Sequence, residues 1–209
     1  MTAQEIKEKF DALIPAPKCE LDYKSPYQLL IAVILSAQCT DKRVNMVTKE
    51  MFKKYDTPEK VASLAQEELE EIIHSCGFYH NKAKNILAMT KDVIEKYNGQ
   101  VPSTMEELVS LAGVGRKTAN VVIGEAFGGE AIAVDTHVLR VSNRLALAKT
   151  SDPFKCEQAL MKFFPSKYWS KIHLQMVLFG RYYCKSQKPL CKGCPFFDIC
   201  TYEDKNKML

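Results

Sequence analysis

The chain has 209 residues, 46% of them hydrophobic and 26% charged, with a formal net charge of +4, which is compatible with nucleic-acid binding without deciding it. This composition suffices for one good core or two small ones, and no apolar run reaches the roughly 18 residues of a membrane span. The N-terminal segment is acidic and helical in pattern, unlike a targeting signal, so we expect a cytoplasmic protein whose eight cysteines are thiols or metal ligands.

Helix-start signals recur along the chain, and strand-like alternation is limited to residues 131–134. A capping side chain directly precedes proline at Ser25-Pro26, Thr57-Pro58 and Asp152-Pro153. Ser103 with Glu106 predicts a capping box before another helix. Residues 31–35 are apolar on every side of their helix, so we expect that helix to cross the middle of a core. The sequence therefore predicts an all-α chain of roughly ten helices.

A glycine hairpin is predicted at residues 111–119, LAGVGRKTA, between two segments with helical periodicity. Gly113 and Gly115 break that periodicity, and a turn this tight needs the positive φ that glycine adopts freely. Their bare backbone can also approach a phosphate closely at the start of the next helix. Arg116 separates Gly115 from Lys117, and the preceding segment is helical, so neither a P-loop nor a dinucleotide fingerprint fits. The simpler alternative is a plain helix–helix connection.

Lys117 and Asp135 are the candidate catalytic pair. Lys117 follows the hairpin at a helix start, and Asp135 precedes a second helix in IAVDTHVLRV. A lysine amine is a nucleophile only when its pKa falls well below the unperturbed value of about 10.4. A helix N-cap favours an ionised carboxylate, which can stabilise a cationic intermediate. The alternatives are a solvated lysine and an aspartate that only caps its helix.

Four cysteines crowd into the C-terminal tail with the spacing C-x6-C-x2-C-x5-C, and they are Cys184, Cys191, Cys194 and Cys200. Four thiolates can hold an iron–sulfur cluster or a zinc ion. Zinc sites usually draw on two CxxC-like pairs, and the tail has one, which favours a [4Fe-4S] cluster and leaves zinc as the alternative. Lys188 and Lys192 alternate with these cysteines, so the tail is either a solvated loop or a contact to a nucleic-acid backbone.

Together, the hairpin, the VDTH segment and the four-cysteine tail closely resemble the endonuclease III family of DNA-repair glycosylases. The likeness extends to LSAQCTD at residues 35–41 and to GFYHNKAKNI at residues 77–86. It implies an all-α fold of two helical lobes with a DNA-binding cleft between them. It also implies a monomer that acts at the bacterial nucleoid on double-stranded DNA carrying damaged bases or abasic sites, without membrane association.

The resemblance divides the chain into two domains, and the Gly128-Gly129 pair is the best candidate for their boundary. Residues 20–129 would form a six-helix barrel domain that contains the hairpin. Residues 1–19 and 130–209 would form the iron–sulfur domain, with the cluster in the loop at residues 184–200.

The resemblance also implies the chemistry. Lys117 attacks C1′ of an oxidised pyrimidine nucleotide, such as thymine glycol, while Asp135 assists. The resulting Schiff base leads to β-elimination on the 3′ side of the abasic site. Because the base must leave the duplex, Gln38 and Phe78 are expected to fill the vacated space. Gly113 and Gly115 are expected to contact the DNA backbone.

Two alternative functions fit parts of the sequence. Mismatch adenine glycosylases lack a lysine at this position and carry a further C-terminal domain, so Lys117 and the end of the chain at Leu209 argue against them. A non-catalytic DNA-binding or redox-sensing iron–sulfur protein would not need Lys117 or Asp135, and both are present.

Overall fold

The computed structural model describes residues 1–208, and those residues form helices and loops without a strand. The α-helices are α1 (Ala3–Leu13), α2 (Pro26–Ser36), α3 (Asp41–Met51), α4 (Pro58–Ala62), α5 (Gln66–Ile73), α6 (Tyr79–Tyr97), α7 (Met105–Ser110), α8 (Arg116–Phe127), α9 (Thr136–Arg144), α10 (Pro153–Phe163) and α11 (Trp169–Tyr182). Short 3₁₀ helices cover His74–Cys76, Ser166–Tyr168 and Glu203–Met208. The predicted all-α class is confirmed, and none of the described helices has the length and apolar character to cross a membrane.

The chain divides into two compact units. The middle unit is Cys19–Gly128, and the terminal unit combines Met1–Lys18 with the described residues from Gly129 onward. The middle unit contains α2 to α8, and the terminal unit contains α1 with α9 to α11. The functional domains expected at residues 20–129 and at residues 1–19 plus 130–209 stay a prediction.

Helix α2 forms the centre of the middle unit. Its residues 29–35 are at most 5% exposed, and α2 packs against α8, α3 and α6. Ser25 caps α2, with Pro26 in the first turn, as the sequence predicted. Complete burial of a leucine or isoleucine side chain contributes about 1.5–3 kcal/mol, so this helix fixes the positions of its neighbours.

The terminal unit has an aromatic core that joins the two ends of the chain. Phe10 of α1 meets Phe179 of α11 edge to face at 5.6 Å and Phe196 at 4.5 Å, measured between ring centroids. Phe10 and Phe196 are fully buried. Because Phe196 lies between two cysteines of the tail, this core anchors the cysteine loop.

Thr104, rather than the predicted Ser103, caps α7. The backbone N–H of Glu107 donates to the Thr104 hydroxyl oxygen at 3.3 Å, and that hydroxyl donates to the Glu107 carboxylate at 2.6 Å. The predicted box of Ser103 with Glu106 is therefore wrong by one residue. Ser103 and Thr104 are both hydroxyl residues with a glutamate three positions later, so the sequence does not distinguish the two possible caps. In the structure the helix begins after Thr104, and Leu108 is buried.

Candidate active site and cysteine loop

The hairpin between α7 and α8 depends on Gly113. Gly113 has φ +75°, and a Cβ atom built there would lie 2.8 Å from the Cβ of Asn85 on α6. Both the left-handed backbone and the lack of space therefore require glycine. Val114 is buried, so the turn is fixed to the core of the middle unit.

Gly115 has a different role from the one that the sequence predicted. It is the N-cap of α8 with an extended backbone, φ −88° and ψ 172°, and a Cβ atom would meet nothing within 4 Å. The expectation of positive φ is thus correct for Gly113 and wrong for Gly115. The N-cap Gly115 supplies no side-chain cap to α8, and the positive end of this helix favours an anion.

Lys117 and Asp135 lie in different units, and each lies at the start of a helix. Lys117 is exposed in the first turn of α8. Asp135 is half-buried and caps α9, with Oδ1 accepting from the N–H of Val138 at 2.8 Å. A carboxylate has a second oxygen, so the cap does not use its full capacity to accept hydrogen bonds.

Gln38 and Phe78 share an uncommon backbone conformation in the middle unit. Both are left-handed, with φ +53° and +49°, and both are exposed, Phe78 to 66%. A non-glycine residue in this region costs roughly 1–2 kcal/mol, so the surrounding structure must hold both residues there. Backbone strain of this kind clusters at binding and active sites.

Arg140 and Arg144 connect α9 to the cysteine loop, and neither residue was predicted from the sequence. Arg140 donates to the carbonyl oxygens of Cys184 at 3.0 Å and Gly180 at 2.7 Å. Arg144 donates to the Cys184 sulfur at 3.3 Å and to the Lys185 carbonyl at 2.7 Å. Their spacing of four residues on the helix after Asp135 was the available signal, because it places both on one helix face.

The four tail cysteines line one cavity of the terminal unit. Its other walls are mostly apolar and include Leu145, Phe179, Leu190 and Phe197. Burial raises the pKa of the Cys191 and Cys194 thiols. Among the described residues, no three His, Cys, Asp or Glu side chains are already arranged as a metal site.

The tail lysines lie on the surface of the same loop. Lys188 is exposed with a left-handed φ of +48°, and Lys192 is exposed between Cys191 and Cys194. Lys205 lies at the base of the loop, where it donates to the carbonyl oxygens of Phe197 at 2.8 Å and Cys200 at 2.7 Å.

Known proteins are similar to this chain over nearly its whole length. Residues 31–166 match the HhH-GPD superfamily of base excision DNA repair proteins. The chain is 50% identical over 199 residues to endonuclease III of Bacillus subtilis (strain 168), covering 95% of this chain and 91% of that protein. It is similar to the structure of a non-covalent endonuclease III–DNA complex, with a TM-score of 0.93 and 49% identity, covering 100% of this chain and 99% of the other. A trapped endonuclease III–DNA covalent intermediate, an estranged-adenine complex, has the same TM-score and identity and covers 100% of both chains.

The helical fold, the hairpin and the superfamily match define a helix-hairpin-helix enzyme of base excision DNA repair. Within that class, the chain belongs to the endonuclease III family. The predicted resemblance is therefore confirmed. The chain is a DNA glycosylase and abasic-site lyase, and neither a mismatch adenine glycosylase nor a non-catalytic binding protein is favoured.

Proposed function

We propose that Lys117 is the nucleophile and Asp135 the assisting carboxylate of a bifunctional glycosylase that removes oxidised pyrimidines, such as thymine glycol, from duplex DNA. The observation that carries this proposal is the position of Lys117, directly after a hairpin fixed by Gly113 and in the first turn of a helix without a side-chain cap. A similar protein has been trapped as a covalent intermediate with DNA, which supports a nucleophilic side chain.

In this reaction, the neutral amine of Lys117 forms a bond to C1′ while the glycosidic bond breaks and the base departs with its bonding electrons. The new C1′ ammonium loses a proton, and opening of the C1′–O4′ bond, with a proton added to O4′, then gives the Schiff base. Loss of a C2′ proton and cleavage of the C3′–O bond release the 3′ strand with its phosphate, and water finally frees Lys117. The Asp135 carboxylate stabilises the cationic sugar and can accept the proton that Lys117 must lose.

The duplex must open for this chemistry. Flipping a nucleotide costs a few kcal/mol, and side chains that occupy the vacated space offset part of that cost. Gln38 and Phe78 are suited to this role because both project from exposed left-handed turns of the middle unit. The hairpin at Gly113 and Gly115 binds backbone phosphate through its N–H groups.

We propose that the tail cysteines, Cys184, Cys191, Cys194 and Cys200, hold a [4Fe-4S] cluster. The residues fit this group, because four thiols line one largely apolar cavity and Arg144 donates to the Cys184 sulfur. When bound, the cluster supplies a four-point cross-link of the loop. That loop presents Lys188 and Lys192, which we assign to backbone phosphate contacts.

We further propose that the protein works as a monomer on damaged or abasic duplexes in the cytoplasm, at the nucleoid. The support is the chemistry of its substrate, because a duplex is the only partner that the proposed reaction needs. Sedimentation of the purified protein alone and with an equimolar duplex measures this stoichiometry.

The substrate is tested with three duplexes that contain thymine glycol, a preformed abasic site, or an adenine–8-oxoguanine mismatch. We expect strand cleavage of the first two and little reaction of the third. Cleavage that requires the mismatch, with thymine glycol left intact, would contradict the proposed substrate class.

A further inference from the structure

Lys82 is a buried lysine whose ammonium group joins two turns of the middle unit. Its side chain lies in the first turn of α6 and is 5% exposed. The Nζ atom donates to the carbonyl oxygen of Leu35 at 2.8 Å and to that of Cys76. An ammonium has three donors, and a buried one is stable only when such partners replace its water.

Both acceptors lie at helix ends. Leu35 is in the last turn of α2, and Cys76 is the last residue of the 3₁₀ helix His74–Cys76. Terminal carbonyls lack intrahelical partners and carry partial negative charge, which a cation stabilises. After α2 the N–H of Cys39 donates to the Ser36 carbonyl rather than to that of Leu35, so the Leu35 carbonyl is left for Lys82.

An exposed left-handed residue follows each of these acceptors within three residues. Gln38 follows Leu35 at the end of α2, and Phe78 follows Cys76 and Gly77. The two turns are distant in sequence, and the Lys82 ammonium bonds to the backbone just before both of them. A common anchor of this kind holds strained residues in place and limits changes in their separation.

We infer that Lys82 is a positioning residue that fixes Gln38 and Phe78 relative to each other, so that both side chains can occupy the space left by one flipped nucleotide. This inference rests on the proposed roles of Gln38 and Phe78. In this role Lys82 acts through the two turns, by its bonds to the Leu35 and Cys76 carbonyl oxygens, and not by contact with the DNA.

Lys82 is not a second nucleophile. Burial lowers the pKa of its amine, which on its own is also a property of reactive lysines. The Lys82 side chain is only 5% exposed, however, and its amine is bonded to two carbonyl oxygens, so it is not placed to attack a nucleotide. Its chemistry is that of a hydrogen-bonded cap, and no covalent adduct is expected on it.

The test uses Lys82→Met, which keeps the aliphatic stem and removes the donors. We expect excision of thymine glycol opposite adenine to slow about tenfold to hundredfold, the effect of losing a charge-assisted hydrogen bond. Excision should recover to within about threefold of the wild type when the base opposite the lesion is absent, because an unpaired nucleotide is flipped at lower cost. The control is Lys91→Met, an exposed lysine of the same helix that pairs with Glu95 and should leave both rates unchanged.

A general loss of folding would slow both substrates alike, and that equal loss would overturn the inference while leaving the proposed function intact. A wild-type protein that cleaves neither substrate would instead overturn the proposed function. If Lys82→Met does not fold, Lys82→Gln replaces it, since its amide keeps N–H donors without the charge and should show a smaller loss with the same dependence on pairing. A second signature is non-additivity, because Lys82→Met combined with Phe78→Ala should be little slower than Phe78→Ala alone.

Discussion

At the scale of single residues, the two hairpin glycines have different physical reasons to be glycine. Gly113 combines a left-handed backbone with a site that has no room for a Cβ beside Asn85. Gly115 has an ordinary extended backbone and open space around it. Alanine at position 113 adds both backbone strain and a methyl group, whereas alanine at position 115 adds only a methyl group near the proposed phosphate site. A comparison of the two substitutions therefore isolates the effect of the strain at Gly113.

Gly113→Ala should lower the free energy of unfolding by about 1–3 kcal/mol, because alanine is strained at this φ and its Cβ displaces Asn85. Urea denaturation measures this loss. Gly115→Ala is the matched control and should cost less than about 1 kcal/mol, because only the weaker preference for alanine at an N-cap opposes it. Equal losses for the two variants would contradict the account of the hairpin.

At the scale of elements, a carboxylate network ties α1 to α11. Asp11 accepts from Lys171 at 2.7 Å and from Gln175 at 2.9 Å, and it also pairs with Lys7. Burial alone would raise the pKa of Asp11, but the hydrogen bonds from Lys171, Lys7 and Gln175 outweigh burial and hold that pKa well below its usual value of 3.8.

Because the pKa of Asp11 is lowered in the folded state, the unfolded chain binds the proton first as the pH falls. The contribution of Asp11 to the free energy of unfolding is therefore complete above about pH 5 and declines as the pH falls through about 4. Asp11→Asn should therefore cost of order 1 kcal/mol at neutral pH, and the difference from the wild type should narrow toward pH 2. Urea denaturation across this range measures it, with Glu95→Gln in the exposed Lys91–Glu95 pair as the control. A stability difference between Asp11→Asn and the wild type that does not change with pH would contradict the proposal that the ionised Asp11 carboxylate stabilises the fold.

The cysteine loop is the element whose order we attribute to a bound cluster. Purified protein should be yellow-brown, with broad absorbance near ~410 nm from thiolate-bound iron. Cys194→Ala should lose this absorbance and expose the loop to proteolysis, whereas Cys156→Ala, which alters a buried thiol of α10, should retain both properties. Stoichiometric zinc without iron or sulfide would reject the cluster.

Local signals explain which elements could be predicted from the sequence. Ser25-Pro26, Thr57-Pro58 and Asp152-Pro153 begin α2, α4 and α10 as predicted, because cap and first turn are adjacent in the chain. The Lys82 bonds, the contact of Gly113 with Asn85 and the Arg144–Cys184 bond join distant segments, and no local pattern encodes them. The roles of Lys117 and Asp135 came from the resemblance, since each alone is an ordinary residue at a helix start.

At the scale of the whole molecule, the chain contributes its two proposed reacting groups from different compact units. Lys117 belongs to the middle unit with the hairpin and the turns of Gln38 and Phe78. Asp135 belongs to the terminal unit, where Arg140 and Arg144 on its helix bond to the cysteine loop. Loss of order in the cysteine loop should therefore change the position of the Asp135 carboxylate more than that of the Lys117 amine.

The central claim is that Lys117 forms the covalent bond to DNA, and borohydride reduction during turnover tests it most directly. With a thymine-glycol or abasic duplex, reduction of the Schiff base should leave a stable protein–DNA adduct that peptide mapping places on Lys117. Lys117→Gln should lose the adduct and strand cleavage while it retains duplex binding, because the hairpin backbone is unchanged. An adduct on another lysine, or full cleavage by Lys117→Gln, would contradict the account.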